Sequence, residues 1–216
     1  MTKSRKLAWH RGLDRESVAT EALRILDAEG RGALTMRHLA ASLQVEAPSL
    51  YNHVSSKDEI VDLVLDLVLD SVVLPEPGPD IRAALVAGFS SYRGTLVAHP
   101  AAVMLMTERA RFSGSQLRLA QRSIELLEAS GLSMRAAVDA HVTLIGFVLG
   151  FILQEVSRPT TPAPAIASSP LLQRVLTTLA ERSIDDRFEV GLALILDGVG
   201  VRGLGATPSE SRMQER

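Results

Sequence analysis

Residues 34–69 read LTMRHLAASLQVEAPSLYNHVSSKDEIVDLVLDLVL. Thr35 is placed to cap a short helix running to Leu43. Gln44, Val45 and Glu46 make a three-residue turn. A second short helix starts near Ala47, with Pro48 in its first turn, where a missing N–H costs nothing, and ends near Val54. Ser56 and Glu59 then form a capping box that opens a third, strongly apolar helix. Leu39, Leu43, Val45 and Leu50 fall on the core side, and Ala40 is small where the two short helices must approach. This is the layout of a helix-turn-helix, which offers its second helix to the major groove of double-stranded DNA.

The outward positions carry the matching chemistry. Arg37 can fork onto guanine and Asn52 can pair with adenine through two hydrogen bonds. Ser49, Tyr51 and Lys57 suit phosphate oxygens, which orient a protein without reading sequence.

Outward from this stretch, helix one spans about Asp14 to Glu29, capped by Asp14 and ended by Gly30 and Gly32. Its inward residues are Val18, Ala22, Ile25 and Leu26. The apolar third helix is expected to continue to about Val73, leaving one polar stripe of Asp58, Asp62, Asp66 and Asp70 that should face water. Pro75, Pro77, Gly78 and Pro79 mark a boundary. Helical patterns follow at about 80–98, 100–112, 115–130, 134–157, 170–182 and 185–202, with a Pro-, Ser- and Thr-rich loop from Arg158 to Pro170. The fold class is all-α. Its domains are a basic arm over 1–13, a helix-turn-helix domain over 14–56, a linking helix over 57–74, a second domain over 80–204 and a disordered tail over 205–216.

The formal net charge of -2 argues by itself against nucleic acid, but Lys3, Arg5, Lys6 and Arg11 gather at the start with no acid among them. A solubilising tail has the same composition. There is no cysteine, so disulfides and thiolate metal sites are excluded. The most apolar run, Val142 to Leu153, is about twelve residues, against roughly twenty for a membrane span, so no membrane partner is expected. His10, His38, His99 and His141 lack metal-ligand spacing, and His99, before Pro100, can cap a helix end. HExxH, GxSxG and phosphate-cradling glycine loops are absent, so an α-helical enzyme or simple binding module has no positive support. Helices around Gly146 and Gly150, and over Phe188–Val201, combine all-round apolarity with small residues. That pattern fits a homodimer interface or an internal core.

The pattern LAxxLxVxxxxLYxHVxxKxxI resembles the DNA-binding domain of the tetracycline-repressor (TetR) family of bacterial regulators. SYRGTLVAHP (91–100), GFVLGFILQE (146–155) and RFEVGLALILDGV (187–199) resemble, more weakly, the ligand-binding and dimerisation domain of the tetracycline repressors. The resemblance implies a cytoplasmic homodimer, a pseudo-palindromic operator and a small-molecule effector that releases it. A transcriptional activator of the same fold would look alike. It implies DNA contacts at Met36, Arg37, Ala47, Pro48, Ser49, Tyr51, Asn52, His53 and Lys57. It implies effector contacts at Tyr92, Leu96, Met104, Glu108, Ser123, Leu127 and Val138, with Met106 beside them. Ordinary core packing is the reading these positions favour over effector contact. Tetracycline repressors hold a magnesium–drug chelate with a histidine. The corresponding position is Met104, their neighbouring arginine falls on Glu108, and the second subunit's carboxylate falls on Gln154, next to Glu155. A lost imidazole removes a metal contact, so no metal or other cofactor is expected. Val68–Val73 is expected to belong to the lever that links effector to DNA.

Overall fold

The computed structural model describes residues 13–108, 112–157 and 169–202. The basic arm, the loop after Arg158 and the C-terminal tail lie outside these residues, apart from Leu13, Ser169 and Pro170. Ten α-helices and no strand occur among them: α1 Arg15–Glu29, α2 Met36–Ser42, α3 Ala47–Leu50, α4 Lys57–Leu69, α5 Ile81–Ala98, α6 Pro100–Glu108, α7 Gly114–Ala129, α8 Met134–Val156, α9 Pro170–Ala180 and α10 Ile184–Gly198. The all-α expectation holds. Residues up to Val72 with Gly94–Arg118 form one compact unit, and Val73–Arg93 with the residues from Leu119 onward form another. This division differs from the domains drawn on the sequence, because the end of α5, all of α6 and the start of α7 cluster with the helix-turn-helix.

In the first unit α1 packs on α4, and α6 touches both. Asp14 caps α1 by accepting from the Ser17 N–H at 2.8 Å, and Gly30 ends it at φ 81°, where a side chain would be strained. Val18, Ala22, Ile25, Leu39, Leu50, Val64, Leu65, Leu96 and Val103 are almost wholly buried. His99 does not cap a helix end; its Nδ1 lies 2.8 Å from Asp27 Oδ2 on α1.

Two expectations about α4 need correction. It ends at Leu69, with Asp70 as its cap residue, so Val72 and Val73 are not helical. Nor does its acidic stripe simply face water. Asp66 accepts from the Ser115 N–H at 2.8 Å. Asp70 accepts from the Ser115 hydroxyl at 2.7 Å and from Arg118 at 2.6 Å. The first N–H groups of α7 have no partner within their own helix, and a helix start attracts negative charge. Burial pushes the Asp66 carboxyl up, but the Ser115 and Ser113 donors outweigh it and hold that carboxyl below its ordinary value.

In the second unit α8 packs on α10. Ala137, Ala140, Leu144, Val148 and Ile152 of α8, and Phe188, Leu192 and Leu196 of α10, are buried. Phe147 and Phe188 stack with centroids 5.6 Å apart, and Phe151 meets Phe188 edge-on at 5.3 Å. Gly191 lets the rings in, since a Cβ there would lie 2.5 Å from Phe147 Cζ. This glycine therefore serves an internal contact. α8 is 23 residues long and, by length and composition, apolar enough to cross a membrane. That exceeds the twelve-residue run read from sequence, because alanines and scattered apolar residues extend the helix toward its start. α9 buries none of its residues.

Candidate nucleic-acid interface

The interface is built on local caps. The Thr35 hydroxyl accepts from the His38 N–H at 3.1 Å and starts α2. The turn closes through the Val45 N–H on the Ala40 carbonyl at 3.0 Å, with Gln44 in the left-handed region at φ 57°, uncommon for a residue with a side chain. α3 follows with Pro48 in its first turn. It is shorter than the sequence suggests. Regular helix ends at Leu50, and Tyr51, Asn52 and His53 continue in a tightened turn whose N–H groups reach three residues back, to Pro48, Ser49 and Leu50. Only Ser55 separates the buried Val54 from Ser56, the cap of α4, so the chain has no room for another helical turn.

None of the nine sequence-predicted contacts is in the core. Arg37, Pro48, Tyr51, Asn52 and Lys57 are exposed, and Met36, Ala47, Ser49 and His53 are half-buried. They come from the first turn of α2, from α3 with its following turn, and from the first residue of α4. Val45, read as core, is only half-buried. The Ser56 hydroxyl accepts from the Glu59 N–H at 3.2 Å as expected. The Glu59 carboxylate, however, reaches Ser55 rather than Ser56, accepting its N–H at 2.6 Å and its hydroxyl at 2.7 Å. It also pairs with Arg15.

The proposed effector residues divide between the units. In the first, Leu96 is buried, Met106 is half-buried and Met104 is 46% exposed. Glu108 pairs with Arg31 of the turn after α1. In the second, Tyr92, Ser123 and Leu127 are buried and Val138 is 39% exposed. Burial pushes the Tyr92 hydroxyl's pKa up, keeping it neutral. The sequence does not foretell the partner of His141. Its Nδ1 is hydrogen-bonded to the Ser123 hydroxyl, and burial lowers its pKa. The two lie on different helices, and no spacing rule links them.

A magnesium–drug chelate of the tetracycline-repressor kind does not fit these side chains. Met104 offers a thioether, a poor donor for a hard cation. Glu108 is engaged by Arg31. Glu155 is held by the Arg93 guanidinium through two hydrogen bonds of 2.9 Å. Arg93 also pairs with Asp185 at 2.7 Å and lies 4.9 Å from the centre of the Phe188 ring. Among the described residues no group of three or more His, Asp or Glu is placed to hold a metal ion.

Residues 18–64 match the family described as "Bacterial regulatory proteins, tetR family", and residues 74–202 match the "Tetracyclin repressor-like, C-terminal domain". An HTH-type transcriptional regulator of Saccharopolyspora erythraea is 34% identical over 66% of this chain, which spans 61% of that relative's length. The HTH-type transcriptional repressor DrrR1 of Streptomyces coeruleorubidus is 33% identical over 88% of this chain and 77% of its own. The crystal structure of Streptomyces coelicolor ActR in complex with actinorhodin superposes with a TM-score of 0.75 at 30% identity, covering 91% of this chain and all of that one. The chain thus belongs to the tetracycline-repressor family and is a ligand-responsive, DNA-binding transcriptional regulator.

Proposed function

We propose that this chain is a homodimeric repressor that occupies a pseudo-palindromic operator and leaves it when a small organic effector, not magnesium–tetracycline, binds. The observation that carries the proposal is the cap-defined helix-turn-helix with Arg37, Tyr51, Asn52 and Lys57 on its surface. Residues 14–56 would read DNA, and 80–204 would bind effector and dimerise. A second copy is favoured by apolar side chains left open on the two helices that pack together: Met134, Val138 and Val142 on α8, and Val190 and Leu194 on α10. Two-fold symmetry sets two reading heads about 34–36 Å apart, the spacing of successive major grooves. The relative ActR is bound to actinorhodin, which supports an organic effector here. The engaged carboxylates of Glu108 and Glu155 speak against a bound chelate. Its relatives are transcriptional regulators, and we assign it no catalysis. The cytoplasm is its place of action, on the nucleoid when DNA-bound.

The test is a gel shift on the DNA flanking its own coding region and on a randomised duplex library. A salt-sensitive shift with the stoichiometry of a dimer supports the reading, with log K falling by roughly 0.9 per phosphate neutralised for each tenfold rise in salt. Failure to retain any duplex from the library overturns it. Adding magnesium and tetracycline should leave the shifted band in place, and release at nanomolar drug would refute the effector assignment.

A further inference from the structure

The segment Tyr51–His53 needs external support. It lies beyond a regular helix of four residues, whereas isolated helices shorter than about 12–15 residues are marginal in water. Leu50 and Val54 are buried and anchor its two ends to the core. Between them the N–H groups of Tyr51, Asn52 and His53 bond back to Pro48, Ser49 and Leu50. From outside the turn, its far end is held by Arg15, the first residue of α1. Its Nη1 donates to the His53 carbonyl at 3.2 Å, and its Nη2 donates to Glu59 Oε1. The other Glu59 oxygen takes both donors of Ser55. One guanidinium and one carboxylate therefore join the start of α1, the turn after α3 and the first turn of α4.

We infer that Arg15, held by Glu59, is a positioning residue for base reading: it fixes the turn that presents Asn52 and His53 without itself contacting DNA. Arg15 is 55% exposed, and an exposed arginine near a reading head could instead neutralise a phosphate. Two features oppose that role. Two of its five N–H donors are committed to a carbonyl and a carboxylate, which fixes the direction of the fork, and the Glu59 charge offsets its own. Arginine's rigid fork matches the task, because it serves two acceptors in fixed directions where lysine offers a point charge. The inference rests on Tyr51–His53 facing DNA, so the experiment tests the two separately.

The full-length protein would be titrated, at several KCl concentrations, against an operator selected by the wild type from a random duplex library and against a scrambled duplex. Protein concentrations would be normalised to active sites. Arg15→Gln and Glu59→Gln should each weaken operator binding about tenfold, the loss expected of one charge-assisted hydrogen bond. Affinity for the scrambled duplex and the salt slope should stay at wild-type values. Arg15→Lys should recover part of the loss. A salt slope reduced by about one in Arg15→Gln, with Glu59→Gln unchanged, would make Arg15 a phosphate contact and overturn the inference. So would equal losses on both duplexes, or no loss. If Asn52→Ala and His53→Ala leave discrimination untouched, the DNA-facing reading of the turn fails and takes the inference with it. If they lose discrimination and Arg15→Gln does not, only the role of Arg15 fails.

Discussion

Arg93 illustrates how much one side chain can decide. It is 11% exposed, and its partner Glu155 is 17% exposed. Two carboxylates and two aromatic faces surround the guanidinium. Arg93→Met should destabilise the protein by about 3 kcal/mol, because it strands a largely buried carboxylate. Adding Glu155→Leu should restore most of that loss, since the carboxylate left without its partner is then Asp185, which is 73% exposed; denaturant unfolding of the three proteins checks both. Glu59 contributes to the acid limb. The Ser55 N–H and hydroxyl, then Arg15, lower its carboxyl from 4.5 to about 2. The unfolded chain takes up this proton first as pH falls, so the contribution is fully present above pH 4.5 and fades toward pH 2. Melting curves across that window should flatten in Glu59→Gln relative to wild type. Equal slopes would refute the assignment.

At the scale of elements, the contact between α4 and the start of α7 is the clearest departure from periodicity. A row of aspartates four apart reads as a solvated face, but Asp66 instead accepts a backbone N–H at the start of a helix 49 residues further on, and Asp70 accepts the hydroxyl of the same serine. Asp66→Ala should cost about 1–3 kcal/mol, the range for an unsatisfied donor, because the Ser115 N–H is then left part-buried without its acceptor. Asp66→Asn keeps an acceptor and should cost less; thermal melts at neutral pH separate them. The pair Ser123 and His141 is a second polar contact between elements. With its pKa lowered by burial, His141 favours the neutral ring in the folded state. Its contribution is therefore present at neutral pH and is lost as pH falls below the ordinary histidine value of about 6.5. Replacing it with Gln should flatten the stability profile there.

At the scale of the whole molecule, the second unit leaves large apolar side chains open on α8 and α10. Leu194 is 68% exposed and Val142 is 64% exposed. Covering one such side chain contributes about 1.5–3 kcal/mol, and a two-fold contact uses each twice. Leu194→Glu should convert the dimer to monomer in sedimentation experiments and abolish tight operator binding, while each chain keeps its helical circular dichroism. A dimer of unchanged affinity would place the interface elsewhere.

Capping residues, glycines and apolar spacing are local signals, and they determined the all-helical class, the start of nearly every helix and the placement of the nine DNA-contact candidates outside the core. Asp14, Thr35 and Ser56 cap because their side chains reach N–H groups three residues away, a distance the chain itself fixes. The family was legible for the same reason, since its signature lies within one short stretch. Only the tertiary structure decided that α3 stops at Leu50, that Asp66 and Asp70 receive the start of α7, that Glu59 turns to Arg15 across 44 residues of sequence, and that Glu155 is engaged by Arg93 across 62. These contacts join residues far apart in the chain. Which acceptor a charged side chain finds depends on helix packing, and no local pattern encodes that choice.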